Sequence, residues 1–377
     1  MRRMVSVLIV MAFVAGGAFA QQASVGGGVI VGMDLARGDN LDDTDVFTAG
    51  TQALVRLQAT ASANTAVGEF GVWMRVQDTW MSIQHGDLGG LNLFNAYAWW
   101  QPNQMFRLTM GTFPDGWWDM AGTTTRWGFY GMALDAEVGV GFGLGEYQTG
   151  AYNVNFTQAF FPSTAYGLLL SLAPTRMITL NFGLPVRWWG PPAEIGDLFS
   201  ESLMQLVLNL DFGRIGLTYR ANPLDDHSGN LWAYLHLSAI DNLQLDLGAG
   251  FDLADDPLIG VGLGLRYTFS PEFDLTVRTM AKIDTVEDSP FQMLFEARPS
   301  YQIRPGITAF LGAGIAFTGE GGPTVNNEAT FGWHINPYVR FGSTWGPSFY
   351  AGLEIKNWNG DRGHTEWRVP LAVYMFF

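Results

Sequence analysis

Apolar and polar residues alternate along this chain, segment after segment. In Gln52–Thr60, Ala53, Val55, Leu57 and Ala59 share one parity, against Gln52, Arg56, Gln58 and Thr60. In Glu69–Gln77, Phe70, Val72, Met74 and Val76 oppose Glu69, Arg75 and Gln77. Phe106, Leu108 and Met110 oppose Arg107 and Thr109; Leu134–Leu144, Ile178–Arg187, Met204–Phe212 and Leu243–Asp252 repeat the pattern. It is cleanest late in the chain: Ile259, Val261, Leu263, Leu265, Tyr267 and Phe269 stand against Gly260, Gly262, Gly264, Arg266 and Thr268. A strand sends successive side chains to opposite faces, so each segment is predicted to be a strand with one apolar and one polar-or-glycine face.

The connections predict how the strands are arranged. Short ones, such as Ala61–Thr65, Gln101–Gln104, Gly213–Arg214 and Ser270–Glu272, alternate with longer acidic ones. Among the long ones are Asp34–Val46, Asp78–Gly90, Phe113–Ala133, Thr318–Ala329 and Trp358–Thr365. Hairpins of alternating length imply antiparallel neighbours, with one end of the sheet short-looped and the other elaborated. A soluble sandwich also alternates, but it must bury its apolar faces against each other, and this many strands exceed one sandwich. The expected fold is all-β: an antiparallel up-and-down barrel that crosses a membrane. It should have about 20 strands, or about 16–18 if a strand near Tyr152–Leu172 is counted twice, each about 9–11 residues long.

Both ends of the chain bear on this. Arg2 and Arg3 precede an apolar run, Val5 to Ala15, and Ala18-Phe19-Ala20 supplies a small-x-small cleavage site. That is a Sec-type signal peptide over residues 1–20, with the barrel expected over 21–377. The run is shorter than the ~20 residues a spanning helix needs. At the other end, Glu366–Phe377 places Trp367, Val369, Leu371, Val373, Met375 and Phe377 on one parity, with Glu366 and Arg368 on the other. With its terminal aromatic, this segment resembles the last strand of the bacterial outer-membrane β-barrel superfamily. The resemblance implies insertion among outer-membrane lipid through the barrel-assembly machinery, which reads the C-terminal strand ending at Phe377.

Composition narrows the function. Charged residues make up 15% and aromatics 14% of the chain, where about 25% charged is usual for soluble domains. The net charge of −15 disfavours nucleic acid as a partner, because phosphate contacts need a basic footprint. Without cysteine there is no disulfide, thiolate metal site or thiol nucleophile. The histidines His85, His227, His236, His334 and His364 show no metal-ligand spacing, three of them are expected in loops, and no Gly-x-Ser-x-Gly elbow occurs. No cofactor, metal or catalytic group is expected.

Candidate chemistry therefore lies in the pore. Arg56, Arg75 and Arg107 fall on the lumen parity of strands two, three and five. Pro114-Asp115-Gly116-Trp117-Trp118-Asp119 is similar to the Pro-Glu-Phe-Gly-Gly-Asp stretch in the third loop of general porins, departing from it at the two tryptophans. That loop folds inward and narrows the barrel. The resemblance implies a constriction in which Asp115 and Asp119 oppose Arg56, Arg75 and Arg107 and set up a transverse field; the competing expectation is that these arginines pair with lumen acids such as Glu69. Elsewhere lumen bases and acids, including Asp211, look balanced, which places the net negative charge in the outward-facing loops. Most tryptophan pairs, Trp99-Trp100 included, are expected in interfacial belts, and Trp73 in the lumen. The expected function is passive diffusion of small hydrophilic solutes through a porin of the bacterial outer membrane, possible as a homotrimer. The alternatives are a surface adhesin or structural barrel working through its acidic loops, and a transporter for a hydrophobic compound.

Overall fold

The structure, a computed structural model, describes residues 22–39, 44–46, 52–77, 81–82, 92–113, 165–185, 202–221, 229–253, 258–284, 291–318, 330–343, 346–359 and 364–376. The expected leader, residues 1–20, lies outside them, as do the terminal Phe377 and the expected strand Leu134–Leu144.

Twenty-one strand segments form one sheet. The first nine are β1 (Gln22–Asp39), β2 (Thr44–Val46), β3 (Gln52–Thr65), β4 (Gly68–Gln77), β5 (Met81–Ser82), β6 (Asn92–Asn103), β7 (Phe106–Phe113), β8 (Ala165–Thr175) and β9 (Ile178–Pro185). Then come β10 (Leu203–Leu210), β11 (Gly213–Ala221), β12 (Gly229–Leu237), β13 (Leu243–Asp252), β14 (Leu258–Ser270) and β15 (Phe273–Asp284). The last six are β16 (Gln292–Arg304), β17 (Ile307–Thr318), β18 (Thr330–Gly342), β19 (Ser348–Gly352), β20 (Glu354–Asn359) and β21 (His364–Phe376).

Three segments continue a neighbour rather than add to the wall. β2 pairs with the edge of β1 that β3 occupies further down, and β5 extends β4 along β3. β19 and β20 are one strand, its ladder interrupted at Leu353 without a change of register, since both lie between β18 and β21. The interruption has a local cause: Leu353 N–H donates to the Pro337 carbonyl at 2.9 Å, but proline has no N–H to return, so the ladder cannot close there. Eighteen strands therefore cross the wall, each antiparallel to the next. β1 pairs with both β3 and β21, so the sheet closes on itself. Eighteen lies within the expected range of about 16–20 strands. Within the ring β7 pairs directly with β8, with Phe113 opposite Ala165. Closure explains why so long a sheet is tolerated: a barrel has no unpaired edge.

Burial is inverted relative to a soluble protein. Leu57, Phe70, Val72, Leu180, Leu217, Val261, Phe295, Leu311, Ile335 and Val373 are exposed. The most deeply buried polar residues include Thr109, Gln205, Asp246, Glu296, His334, Asn336 and Glu354. Moving one Leu, Val or Phe side chain from an apolar medium into water costs about 1.5–3 kcal/mol, so a band of them on the outer face requires hydrocarbon outside. The parity matches the sequence pattern. In β21 the outward residues include Val373 and Met375, both exposed, while Ala372 is buried.

The lumen wall as candidate functional site

Register carries each polar side chain to the inside. Residues paired across two strands point the same way, so Gln58 and Arg75 form one lumen row. Trp73 and Tyr97 lie in the next row, Gly71, Trp99 and Thr109 in the one after, and Glu69 and Gln101 in the last.

The expected arginine trio is only partly brought together. Arg56 pairs with Gly28 on one side and Gln77 on the other, and so sits diagonally beside Arg75; it is placed by register alone. Arg107 stands opposite Ser171 near the short-turn end, within electrostatic reach of Glu69. Six residue steps along β4, from Glu69 to Arg75, separate those levels, about 20 Å at ~3.4 Å per residue. Aromatic rings fill the interval. Trp73 stacks on Tyr97 with centroids 5.1 Å apart, and Tyr97 meets Trp99 at 5.9 Å. The arginines bracket this row: the Arg75 guanidinium lies 5.2 Å from the Trp73 ring centre, and that of Arg107 lies 4.7 Å from the Trp99 ring centre. Gly71 makes the arrangement possible, because a Cβ there would come within 2.0 Å of the Trp99 ring. The indole lies flat over the glycine and offers its other face to the guanidinium, a favourable cation–π arrangement. Asp115 and Asp119, the expected acidic partners across the constriction, lie outside the described residues.

Trp99 thus corrects the expectation of an interfacial belt: it faces the lumen. Its neighbour Trp100 faces out, packs against Phe70 and Phe106, and donates its indole N–H to the Val67 carbonyl at 2.9 Å. That ring cluster is a girdle element. Asp211, expected in the lumen, sits instead in the exposed turn between β10 and β11, and His364, expected in a loop, opens β21.

The other half of the wall is a network of paired charges. His236 Nδ1 lies 2.7 Å from Asp246 Oδ1, with Asp246 fully buried. Arg266 donates to Asp274 at 3.2 Å. Arg298 donates to the Tyr338 hydroxyl and Arg340 to the Thr308 hydroxyl, both at 3.3 Å. Both guanidinium groups also flank the Phe310 ring, at 5.6 and 5.3 Å, and Phe310 stacks on Tyr338. Arg368 hydrogen-bonds Glu354. Alternation placed Asp246, Arg266, Asp274, Arg298, Arg340, Glu354 and Arg368 in the lumen but did not single out Phe310 and Tyr338 as an aromatic centre between arginines. The signal was present in the sequence: both lie on the polar parity of their strands. Among the described residues, no group of His, Asp and Glu side chains could hold a metal ion.

No protein-family model and no curated protein matches the chain. Solved structures resemble it in fold. The chain is similar to OccAB4 of Acinetobacter baumannii, with a TM-score of 0.58 and 10% identity over 95% of this chain and 98% of that one. It is similar to OprD of Pseudomonas aeruginosa, with a TM-score of 0.56 and 11% identity over 95% and 96% of the two chains. It is also similar to the outer-membrane expressed OmpT of Vibrio cholerae, with a TM-score of 0.51 and 9% identity over 94% and 97%. A closed antiparallel ring with an apolar exterior and a charged interior, matched end to end by these structures, has the fold of the transmembrane outer-membrane β-barrels.

Proposed function

We propose that the protein is a porin of the bacterial outer membrane, through which small hydrophilic solutes and ions diffuse passively. One observation carries this reading: eighteen wall strands enclose a lumen lined by charged and hydrogen-bonding side chains, and barrels of about 16–18 strands leave room for water. No chemical step and no cofactor is involved. The barrel selects by size and by the field of its wall charges. The long acidic connections face outward, the short turns face the periplasm, and the C-terminal strand engages the assembly machinery. A homotrimer is compatible with this reading.

Purified protein in a planar lipid bilayer is expected to give stable ohmic conductance steps. A barrel that inserts but passes no ions would overturn the porin reading and leave the surface-binding alternative. Within that reading, Arg56 and Arg75 belong to the selectivity region, opposite Asp115 and Asp119. Arg56→Ala combined with Arg75→Ala is expected to raise the cation-to-anion permeability ratio several-fold, measured as a reversal potential in a salt gradient. An unchanged ratio would show that these arginines only brace the wall.

A further inference from the structure

Four of the short turns share a construction that neither wall nor pore requires. Thr65 Oγ1 accepts the Val67 N–H at 3.2 Å, Asn103 Oδ1 accepts the Met105 N–H at 2.9 Å, and Thr175 Oγ1 accepts the Met177 N–H at 3.2 Å. In each case a side chain two residues upstream takes a donor that the hairpin leaves over. In each case the residue bearing that donor is apolar and more than half exposed. The same device closes the β14–β15 turn, where Ser270 Oγ accepts the Glu272 N–H at 3.3 Å, but there the tip residue is charged.

Position around the ring sorts these turns. The β3–β4, β6–β7 and β8–β9 tips carry Val67, Met105 and Met177; the next two, β10–β11 and β12–β13, carry Phe212 and Ile240, exposed to similar degrees. Five consecutive turns therefore present an apolar tip before the series ends at Pro271–Glu272. In water these tips have no role. Beside lipid they do, and at Val67, Met105 and Met177 the internally accepted N–H groups are what a backbone needs where water is scarce. Arg176, Asp211 and Asp241 adjoin the tips and can reach headgroups, as charged side chains do at a membrane boundary. The arc is also continuous with the lipid-facing wall: the Trp100 N–H bond to the Val67 carbonyl ties the first tip to the Phe70–Trp100–Phe106 girdle.

We infer that this arc of five turns lies within the headgroup–acyl boundary of the adjoining leaflet, held against lipid, so that the barrel sits deeper on its β3–β13 side than at the Pro271–Glu272 turn. The inference rests on the bilayer-spanning reading of the wall and adds a second lipid contact to it.

The chain has no cysteine, so single nitroxide labels can be placed at Met105→Cys, Met177→Cys, Ile240→Cys and Glu272→Cys, with Val72→Cys as a wall reference, in the full-length barrel reconstituted in phosphatidylcholine vesicles. Collision rates with oxygen and with a water-soluble nickel chelate are read by power saturation. The three arc labels are expected to meet oxygen readily and nickel several-fold less than the Glu272 label does. Nickel access equal to that at Glu272 would overturn the inference. Shielding from both reagents would also overturn it, because a protein surface, not lipid, would then cover the arc. A nickel-accessible Val72 label would instead remove the membrane reading itself, which keeps the two failures distinguishable.

Discussion

Removing the guanidinium of Arg368 is expected to cost the folded barrel about 3–5 kcal/mol, because it leaves the Glu354 carboxylate buried without its cation. Glu354 is 1% exposed and Arg368 is 14% exposed, and the two hydrogen-bond across the β20–β21 ladder, where their Cα atoms are register partners. The effect should be asymmetric. Arg368→Met keeps the length of the side chain and strands a charge with almost no access to water. Glu354→Gln leaves a guanidinium that can still turn toward the lumen, and it should cost less. The double variant Glu354→Gln with Arg368→Met should regain most of the loss, because no charge then remains to be compensated. Urea titration of the protein folded in lipid vesicles, followed by tryptophan fluorescence, reads all three. A loss below about 1 kcal/mol for Arg368→Met, the range of an exposed ion pair, would show that lumen water solvates Glu354 and that the pair is not buried in this sense.

The same pair shows what alternation can and cannot reveal. Period two put Glu354 and Arg368 on the lumen parity, and the structure agrees, because a strand with lipid on one side cannot slip by one residue without inverting both faces. Which acid meets which base was not legible. Arg368 has Glu354 as its register partner, whereas Glu366, the nearer acid in sequence, stands in register with Lys356. Register depends on turn lengths and bulges, and these leave little trace in a hydropathy pattern.

Arg107 fails as a partner of Arg56 and Arg75 for the same reason. All three have the correct parity, but a register shift between Trp100 and Asn103 and the short turn after it set Arg107 beside Glu69, several rows from Arg75. Trp99 is a different kind of miss. Adjacent residues on one strand must face opposite sides, so Trp99 and Trp100 could not both belong to a belt. Gly71, directly across from Trp99, marked the place where a ring could lie flat in the lumen. The strand number falls within the expected range of about 16–20, because pairing between β7 and β8 closes a ring of eighteen.

Leu217→Arg is the substitution that most directly separates a wall in lipid from a wall in water, with an expected loss of about 2–4 kcal/mol if the residue lies near the bilayer midplane. Leu217 is the central residue of β11, 44% exposed, paired with Leu206 on one side and Ala233 on the other, all on the outward parity. On a soluble surface the same change would fall within about ±0.5 kcal/mol, since a half-exposed arginine in water demands nothing of its neighbours. In hydrocarbon the guanidinium must stretch to an interface or draw water and headgroups inward, and this demand weakens with distance from the midplane. Ile215→Arg, two residues nearer the Gly213 turn on the same face, should therefore cost distinctly less, and Leu217→Phe should cost little. A graded loss, steepest at Leu217, measured by urea unfolding from vesicles, is the signature of a bilayer around the ring. Equal and negligible losses at Leu217 and Ile215 would mean that water, or a protein partner, covers this face instead.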